Sequence, residues 1–164
     1  MLRFDTSLGG FTVELYEREA PVTVANFLAY VDAGFFDGTV FHRVVPGFVI
    51  QGGGLTEDLV EKDTRPPIRN ESDNELDNTR GTLSMARTSA PHSATSQFFV
   101  NLADNDFLDH KPGRHGYAVF GRVTEGMDVV DAIAAVATAR RRGFDDCPVE
   151  PVVMRSVRRV APAA

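Results

Sequence analysis

The sequence predicts a mainly β protein whose strands form a barrel or a sandwich. Short segments in which apolar and polar side chains alternate recur along the chain, often separated by glycine, proline or asparagine. Only two stretches carry apolar side chains at helical spacing. Many short strands with two helices are typical of all-β barrels and sandwiches. For a chain of 164 residues, we expect one domain over residues 1–164.

The chain begins with a predicted hairpin and a predicted helix. Residues 2–6 and 11–15 alternate in the manner of strands and flank a Gly-Gly dipeptide, which indicates a β-hairpin. Pro21 suits the first turn of a helix, because its missing N–H is not needed there. An apolar stripe at helical spacing follows, and Gly34 is a natural stop signal. We therefore expect a helix over about 20–31.

The segment 41–54 has the most distinctive pattern in the chain. Apolar residues alternate on both sides of Pro46-Gly47, which predicts two short strands joined by a turn. Arg43 and Gln51 lie eight residues apart, so the hairpin can bring them face to face. An arginine over an apolar wall, oriented by an amide, can stabilise partial charge on a neutral ligand. The alternative is a solvated or carboxylate-paired arginine followed by an ordinary glycine loop.

Strands continue after a long polar excursion. Residues 55–80 are rich in polar side chains, and a structureless stretch of this length is often functional. Strands are expected at 81–86, 97–101 and 117–123, with a single helical turn at 104–108. We interpret the excursion as a surface loop within the domain, because strand patterns resume beyond it.

A second helix and a last strand complete the predicted elements. Gly126 precedes a helical stripe that begins at Met127 and continues through Ala137 to the basic run 140–142. A final strand is expected at 151–157. A basic run of this kind more often marks a solvated surface than a binding patch.

Charge and cysteine content argue against several functions. The net charge of −6 disfavours nucleic acids and anionic membranes as partners. Cys147 is the only cysteine, so no intramolecular disulfide can form, and a reducing compartment fits. The first residues lack the pattern of a signal peptide, and no apolar run reaches the ~18 residues of a membrane span. We therefore expect a soluble, cytoplasmic protein.

Motifs for metal, nucleophilic or phosphate chemistry are missing from the sequence. The four histidines are scattered, and His110 and His115 lie in a loop without a third ligand at metal spacing. Cys147 is followed by Pro148 and has no nearby base, which argues against a nucleophile. The glycine run 52–54 lacks the Lys-Ser/Thr of a phosphate loop. We expect no metal and no cofactor.

Several motifs resemble those of the cyclophilin family of peptidyl-prolyl isomerases, and they occur in the same order as in that family. The family's F-H-R-x-x-x-x-F motif matches residues 41–48, and its Q-G-G motif matches 51–53. Its L-S-M-A strand matches 83–86, its S-Q-F-F strand matches 96–99, and the strand at 119–123 also agrees. The resemblance spans nearly the whole chain, which looks most like the small bacterial cytoplasmic members.

The resemblance implies a closed eight-stranded antiparallel β-barrel capped by two α-helices, with a ligand groove on its outside. It implies a peptidyl-prolyl cis-trans isomerase that rotates X-Pro peptide bonds and assists protein folding without a metal or cofactor. The implied catalytic residues are Arg43, Gln51 and Phe48. Arg43 would hydrogen-bond the proline nitrogen of the twisted amide, and Gln51 would orient it. The implied substrate-binding residues are Val49, Met85, Ala86, Arg87, Gln97, Phe99, Phe107, Leu108 and Tyr117.

The resemblance also assigns roles within this set. The pocket for the proline ring would be formed by Phe48, Met85, Phe99 and Leu108. Ala86 would offer backbone groups to an extended peptide, and Gln97 would line the groove.

Three positions depart from the family pattern. Arg87 stands where Asn is frequent, Phe107 where Trp is frequent, and Tyr117 where many members have His. Phe lacks the indole N–H donor of Trp, so only weak cyclosporin A binding is expected. Tyr117 keeps an aromatic body with a polar tip, and we expect catalysis to survive.

The expected partners are proline-containing peptides and unfolded or folding proteins, bound by a monomer. One alternative is a non-catalytic module that holds proline-containing segments in the same groove. A second alternative is a β-barrel that binds a small molecule in an apolar interior cavity. An isomerisation assay separates the first alternative from the enzyme, and a filled interior argues against the second.

Overall fold

The computed structural model describes residues 1–161, in which strands dominate. The elements in chain order are β1 (Leu2–Thr6), β2 (Gly9–Leu15), α1 (Pro21–Asp32), β3 (Thr39–Val45), β4 (Val49–Thr56), β5 (Thr82–Met85), β6 (Phe98–Asn101), β7 (Val119–Glu125), α2 (Met127–Ala134), β8 (Thr138–Arg141), β9 (Phe144–Pro148) and β10 (Met154–Arg159). A short 3-10 turn, Asp106–Leu108, lies between β6 and β7. None of the described helices is long and apolar enough to cross a membrane.

Eight of these strands form one antiparallel sheet that curls into a nearly closed barrel. The order of neighbouring strands is β10-β1-β2-β7-β5-β6-β4-β3. Strand β3 meets the segment that leads into β10, because Val40 bridges Val153 and the Phe41 N–H donates to Val152 O at 3.0 Å. This closure removes most of the exposed strand edge. The predicted eight-stranded barrel is confirmed.

Aromatic side chains fill the barrel interior. The ring centres of Phe4 and Phe11 lie 4.7 Å apart, and Phe27 meets Phe98 edge-on at 5.3 Å. The phenylalanines that are almost fully buried are Phe4, Phe11, Phe27, Phe36, Phe41, Phe98 and Phe120. A packed interior does not suit a barrel that carries a small molecule inside, so that alternative loses its support.

Helix α1 lies where the sequence predicts it, and a distant carboxylate caps its N-terminus. The helix buries Val24 and Phe27 in the barrel core, and it has no capping side chain at its own N-cap. Glu71 accepts hydrogen bonds from the Val22 N–H at 3.3 Å, the Thr23 N–H at 2.7 Å and the Thr23 hydroxyl at 2.7 Å. A carboxylate at this end also interacts favourably with the helix dipole.

The first hairpin turns two residues earlier than the sequence suggests. Thr6 pairs with Gly9, so the turn consists of Ser7 and Leu8, and the two glycines begin β2. The Thr6 hydroxyl closes this turn, because it donates to Gly9 O at 2.7 Å and accepts from the Leu8 N–H at 3.2 Å. A local side-chain hydrogen bond thus takes the place of the expected glycine turn.

Helix α2 is shorter than predicted, and the basic run belongs to a hairpin. The helix ends at Ala134, and β8 pairs with β9 beyond it. Arg142 occupies the left-handed region at the hairpin turn, with φ of 48°. The Val149 N–H donates to Ala137 O at 2.9 Å and so extends the pairing back towards the helix. Pairing in the tertiary structure overrides the helical stripe here.

The β8–β9 hairpin covers a second, smaller apolar cluster that is separate from the barrel core. Phe144 packs against this cluster, and His42 from β3 meets the Phe144 ring edge-on at 5.6 Å. The buried members of the cluster are Val40, Leu55, Leu59 and Cys147. Cys147 therefore serves as a small apolar side chain.

Candidate active site

The β3–β4 hairpin carries the arginine and the glutamine that the sequence singles out. Arg43 pairs with Gln51 across the hairpin, and Arg43 Nη1 donates to Gln51 Oε1 at 3.3 Å. Gln51 Nε2 in turn donates to Gln97 Oε1 at 3.1 Å. The guanidinium carbon lies 5.7 Å from the centre of the Phe48 ring. The predicted face-to-face arrangement of Arg43 and Gln51 is confirmed.

A groove on the outside of the barrel opens beside Arg43. Its volume is about 220 Å³, which suits a ring-sized group better than a drug-sized ligand. Its walls are Arg43, Phe48, Val49, Gln51, Ala86, Arg87, Phe99, Leu108 and Tyr117. The fold thus brings together most of the side chains that the sequence proposes for the site.

Strand alternation explains which side chains reach the groove. Gln51 pairs with Phe99 on the outer face, and successive residues of each strand point to opposite faces. Met85 pairs with Phe98, and both are buried in the barrel core, Met85 with 2% of its surface exposed. Met85 therefore does not reach the groove, which corrects the expectation that it forms part of the pocket. Val49 lies on that wall instead.

Three predicted residues differ in detail from their expected places. Phe107 is 59% exposed, and its ring stacks on Phe48 at the edge of the groove, with ring centres 5.5 Å apart. Gln97 lines an adjoining pocket of about 180 Å³. The Ala86 N–H already donates to Gln97 O at 3.0 Å. The backbone role expected of Ala86 is therefore limited to its carbonyl.

Tyr117 and Arg87 form another part of the groove wall. The Tyr117 ring meets Phe99 edge-on at 5.8 Å, and the Tyr117 N–H donates to Leu108 O at 2.9 Å. The guanidinium of Arg87 lies 4.4 Å above the Tyr117 ring. This wall is thus an aromatic ring with a cation stacked on it.

The glycine run after Gln51 belongs to strand β4 and lets side chains pack closely. Gly53 has a φ of 94°, in the left-handed region that favours glycine. Gly54 lies under Gln97, and a Cβ at Gly54 would come within 2.6 Å of Gln97 Cγ. Because it belongs to a strand, the run is neither a phosphate loop nor an ordinary connecting loop. Its lack of side chains makes room for the Gln51–Gln97 contact.

Comparison with known proteins identifies the family. The family model described as "Cyclophilin type peptidyl-prolyl cis-trans isomerase/CLD" matches residues 1–159. The chain belongs to the cyclophilin family. The resemblance inferred from its motifs is confirmed.

Bacterial relatives of this cyclophilin are similar over nearly the whole of both chains. It is 56% identical over 160 residues to a peptidyl-prolyl cis-trans isomerase of Streptomyces antibioticus, with 96% of each chain covered. It is 51% identical over 160 residues to peptidyl-prolyl cis-trans isomerase B of Escherichia coli (strain K12), with 96% of this chain and 98% of the relative covered.

Solved structures share the cyclophilin fold. A crystal structure of a Cryptosporidium parvum cyclophilin type peptidyl-prolyl cis-trans isomerase matches with a TM-score of 0.81 at 25% identity, covering 98% of both chains. A second crystal structure of that protein, in the presence of the dipeptide Ala-Pro, has a TM-score of 0.82 at 24% identity, covering 98% of this chain and 99% of that one.

A chain of buried amides in this cyclophilin joins two walls of the groove, and sequence reasoning missed it. Asn105 Nδ2 donates to Phe48 O at 3.0 Å and to Asn101 Oδ1 at 2.9 Å. Asn101 Nδ2 donates to Asn78 Oδ1 at 3.2 Å, and Asn78 Nδ2 donates to Tyr117 O at 3.3 Å. All three asparagines are buried. The chain fixes the backbone of Phe48 relative to that of Tyr117.

His42 lies next to Arg43 in the sequence but is buried behind it. Its side chain is 5% exposed, and within residues 1–161 its Nδ1 has no hydrogen-bond partner. Burial, together with the positive charge of Arg43, lowers the pKa of His42 from 6.5 to about 4. His42 is therefore neutral near pH 7.

No group of three or more His, Cys, Asp or Glu side chains in the described part of the chain is placed to hold a metal ion.

Proposed function

We propose that this cyclophilin-type peptidyl-prolyl cis-trans isomerase lowers the rotation barrier of X-Pro bonds by directing Arg43 at the proline nitrogen. One observation carries the proposal: Arg43 lies at an apolar groove, oriented by Gln51, and makes no ion pair with a carboxylate in residues 1–161. One of its five N–H donors is bonded to Gln51, which leaves others for a ligand.

The chemistry needs a donor that prefers the twisted amide. An X-Pro bond has a rotation barrier of ~18–20 kcal/mol, because resonance stabilises the planar amide. Twisting the bond removes that resonance and returns a lone pair to the proline nitrogen. A guanidinium N–H aimed at this nitrogen binds the twisted form more tightly than either planar isomer, and such differential binding lowers the barrier.

Arg43 alone does not supply a large acceleration. A charge-assisted hydrogen bond contributes about 1.5–3 kcal/mol, whereas a thousandfold acceleration needs about 4 kcal/mol. The apolar walls account for the difference, because they hold the proline ring while the preceding carbonyl rotates and they exclude water from the planar amide. Phe48, Phe99 and Leu108 are suited to this role, because they line the groove beside Arg43.

The rival function is a module that binds proline-containing segments without turnover. NMR exchange on an Ala-Pro peptide measures isomerisation directly, and the variant Arg43→Ala separates the two functions. We expect Arg43→Ala to lower kcat/KM at least about tenfold while peptide affinity changes little, because Arg43 acts on the twisted form. Equal rates with and without the protein would favour the binding module, and an unchanged rate in the variant would refute the role of Arg43.

Substrates, inhibitor binding and location follow from the same features. We propose proline-containing peptides and unfolded or folding proteins as the substrates of a monomeric enzyme. We also propose a cytoplasmic location, which the lone buried thiol of Cys147 supports.

Weak cyclosporin A binding is proposed because Phe107 offers no N–H donor. Isothermal titration with cyclosporin A, compared for wild type and Phe107→Trp, tests the last point, and tighter binding is expected in the variant.

A further inference from the structure

Arg87 places a second cation on the walls of the groove. Its side chain is half-buried and lines both the proline groove and the adjoining pocket. Within residues 1–161 it makes no ion pair with an aspartate or glutamate. Of the described residues, Arg43 and Arg87 are the only ones with charged side chains on the groove walls. The groove is thus positive, although the whole chain carries a net charge of −6.

The guanidinium of Arg87 is held rigidly by backbone carbonyls. It donates to Thr88 O at 2.9 Å, to His115 O at 3.2 Å and to Gly116 O at 3.4 Å from Nε and 3.2 Å from Nη2. It also stacks on the Tyr117 ring. These bonds occupy four of its five N–H donors. The positive charge of Arg87 is therefore fixed in place, but too few N–H donors remain for a bidentate ion pair with a ligand.

The walls of the adjoining pocket carry one charge of each sign. Within the part of the chain that the structure describes, Glu61 is the only carboxylate on the walls of that pocket, which Arg87 also lines. Glu61 is exposed, and in the described residues it makes no ion pair with a lysine or arginine. Among the described residues, the walls of the proline groove therefore carry positive charge alone, whereas Glu61 offsets the charge of Arg87 in the adjoining pocket.

We infer that Arg87 determines the preference for charge in the substrate, and that this enzyme prefers substrates with an acidic residue immediately before the proline. This inference rests on the proposed function and names the class of its substrates. The attraction acts through space on a substrate carboxylate near Arg87, because most of the arginine donors are already used. Partly exposed charges interact weakly, so we expect about a two- to fivefold preference for Glu over Gln before proline at low salt. High salt should reduce it.

The test compares peptides that differ only in the residue before proline: Glu, Gln or Lys. NMR exchange gives kcat/KM for each peptide with wild type, Arg87→Lys and Arg87→Gln. The lysine variant keeps the charge and loses the rigid fork, whereas the glutamine variant loses both. We expect the Glu preference to persist in Arg87→Lys and to disappear in Arg87→Gln. Glu61→Gln should strengthen it.

The matched control is Arg155→Gln, because Arg155 is an exposed cation on β10 that lines neither pocket. It should keep the wild-type preference. A wild type that turns over all three peptides equally would overturn the inference and leave the isomerase function intact. Loss of the preference in Arg87→Lys as well as in Arg87→Gln would show that loop anchoring, not charge, is responsible. Failure to accelerate any peptide would instead refute the proposed function.

Discussion

Mild acid is expected to destabilise this fold through one buried histidine. His42 lies on β3 and packs against Phe144 of the β8–β9 hairpin, where burial and then the charge of Arg43 lower its pKa from 6.5 to about 4. In the unfolded chain the ring regains an ordinary pKa, so between about pH 6.5 and 4 the unfolded state binds more protons. Stability is therefore fully present above this window and is lost as the pH falls through it.

The size of the effect follows from the two pKa values. At about 1.4 kcal/mol per pKa unit, the difference between 6.5 and about 4 corresponds to a limiting loss of about 3 kcal/mol. At pH 5 the loss is about 2 kcal/mol, because the folded ring is still neutral there. For a domain of this length, that corresponds to a fall in Tm of about 4–8 °C.

Urea unfolding of wild type and His42→Gln at pH 7 and pH 5 checks this prediction. Glutamine is close to histidine in size and does not titrate, so the pH-dependent loss should shrink in the variant by about 2 kcal/mol. The comparison uses the change with pH within each protein, so any difference between the two at pH 7 cancels. An equal loss in both proteins would show that His42 is not responsible.

Three further predictions concern the walls of the groove and the helix cap. Phe48→Ala should weaken binding of a proline peptide about tenfold in a titration, because it removes an aromatic wall; unchanged affinity would contradict that assignment. Asn105→Ala should lower kcat/KM about three- to tenfold, because it frees Phe48 O from the amide chain, and Asn105→Gln should restore part of the rate if position matters. Glu71→Ala should cost about 2–4 kcal/mol in urea unfolding, because three donors at the start of α1 lose their acceptor; a loss under about 0.5 kcal/mol would refute the cap.

The sequence predicted best those features that depend on neighbours along the chain. Helix α1 and the Arg43–Gln51 pair depend on an apolar stripe and on a short turn, and both lie where they were expected. The end of α2 was misplaced, because pairing with β9 competes with a helical pattern that looks continuous. The burial of Met85 depends on which face of β5 points inward, and only the register with β6 settles that.

Features that join distant parts of the chain left no local signal. Glu71 caps a helix through Thr23, which lies 48 residues earlier, and nothing near either site marks the pair. The amide chain links Asn78 with Asn101, 23 residues away, although each asparagine alone suggests only a loop. The groove is built from such contacts, because its walls come from the β3–β4 hairpin, from β6 and from the segment around Tyr117. Closing the barrel is what brings them together.

The groove also determines how the rate should depend on pH. As far as residues 1–161 are concerned, its walls include neither a histidine nor a carboxylate, and rotation about an amide moves no proton. Arginine stays charged throughout the accessible range. We therefore expect kcat/KM to be flat between about pH 6 and 9, without the bell shape that a general acid and base produce. Below that range the rate should fall only where acid unfolds the protein. A titrating step in kcat/KM near neutral pH, with the protein still folded by circular dichroism, would contradict a mechanism based on Arg43.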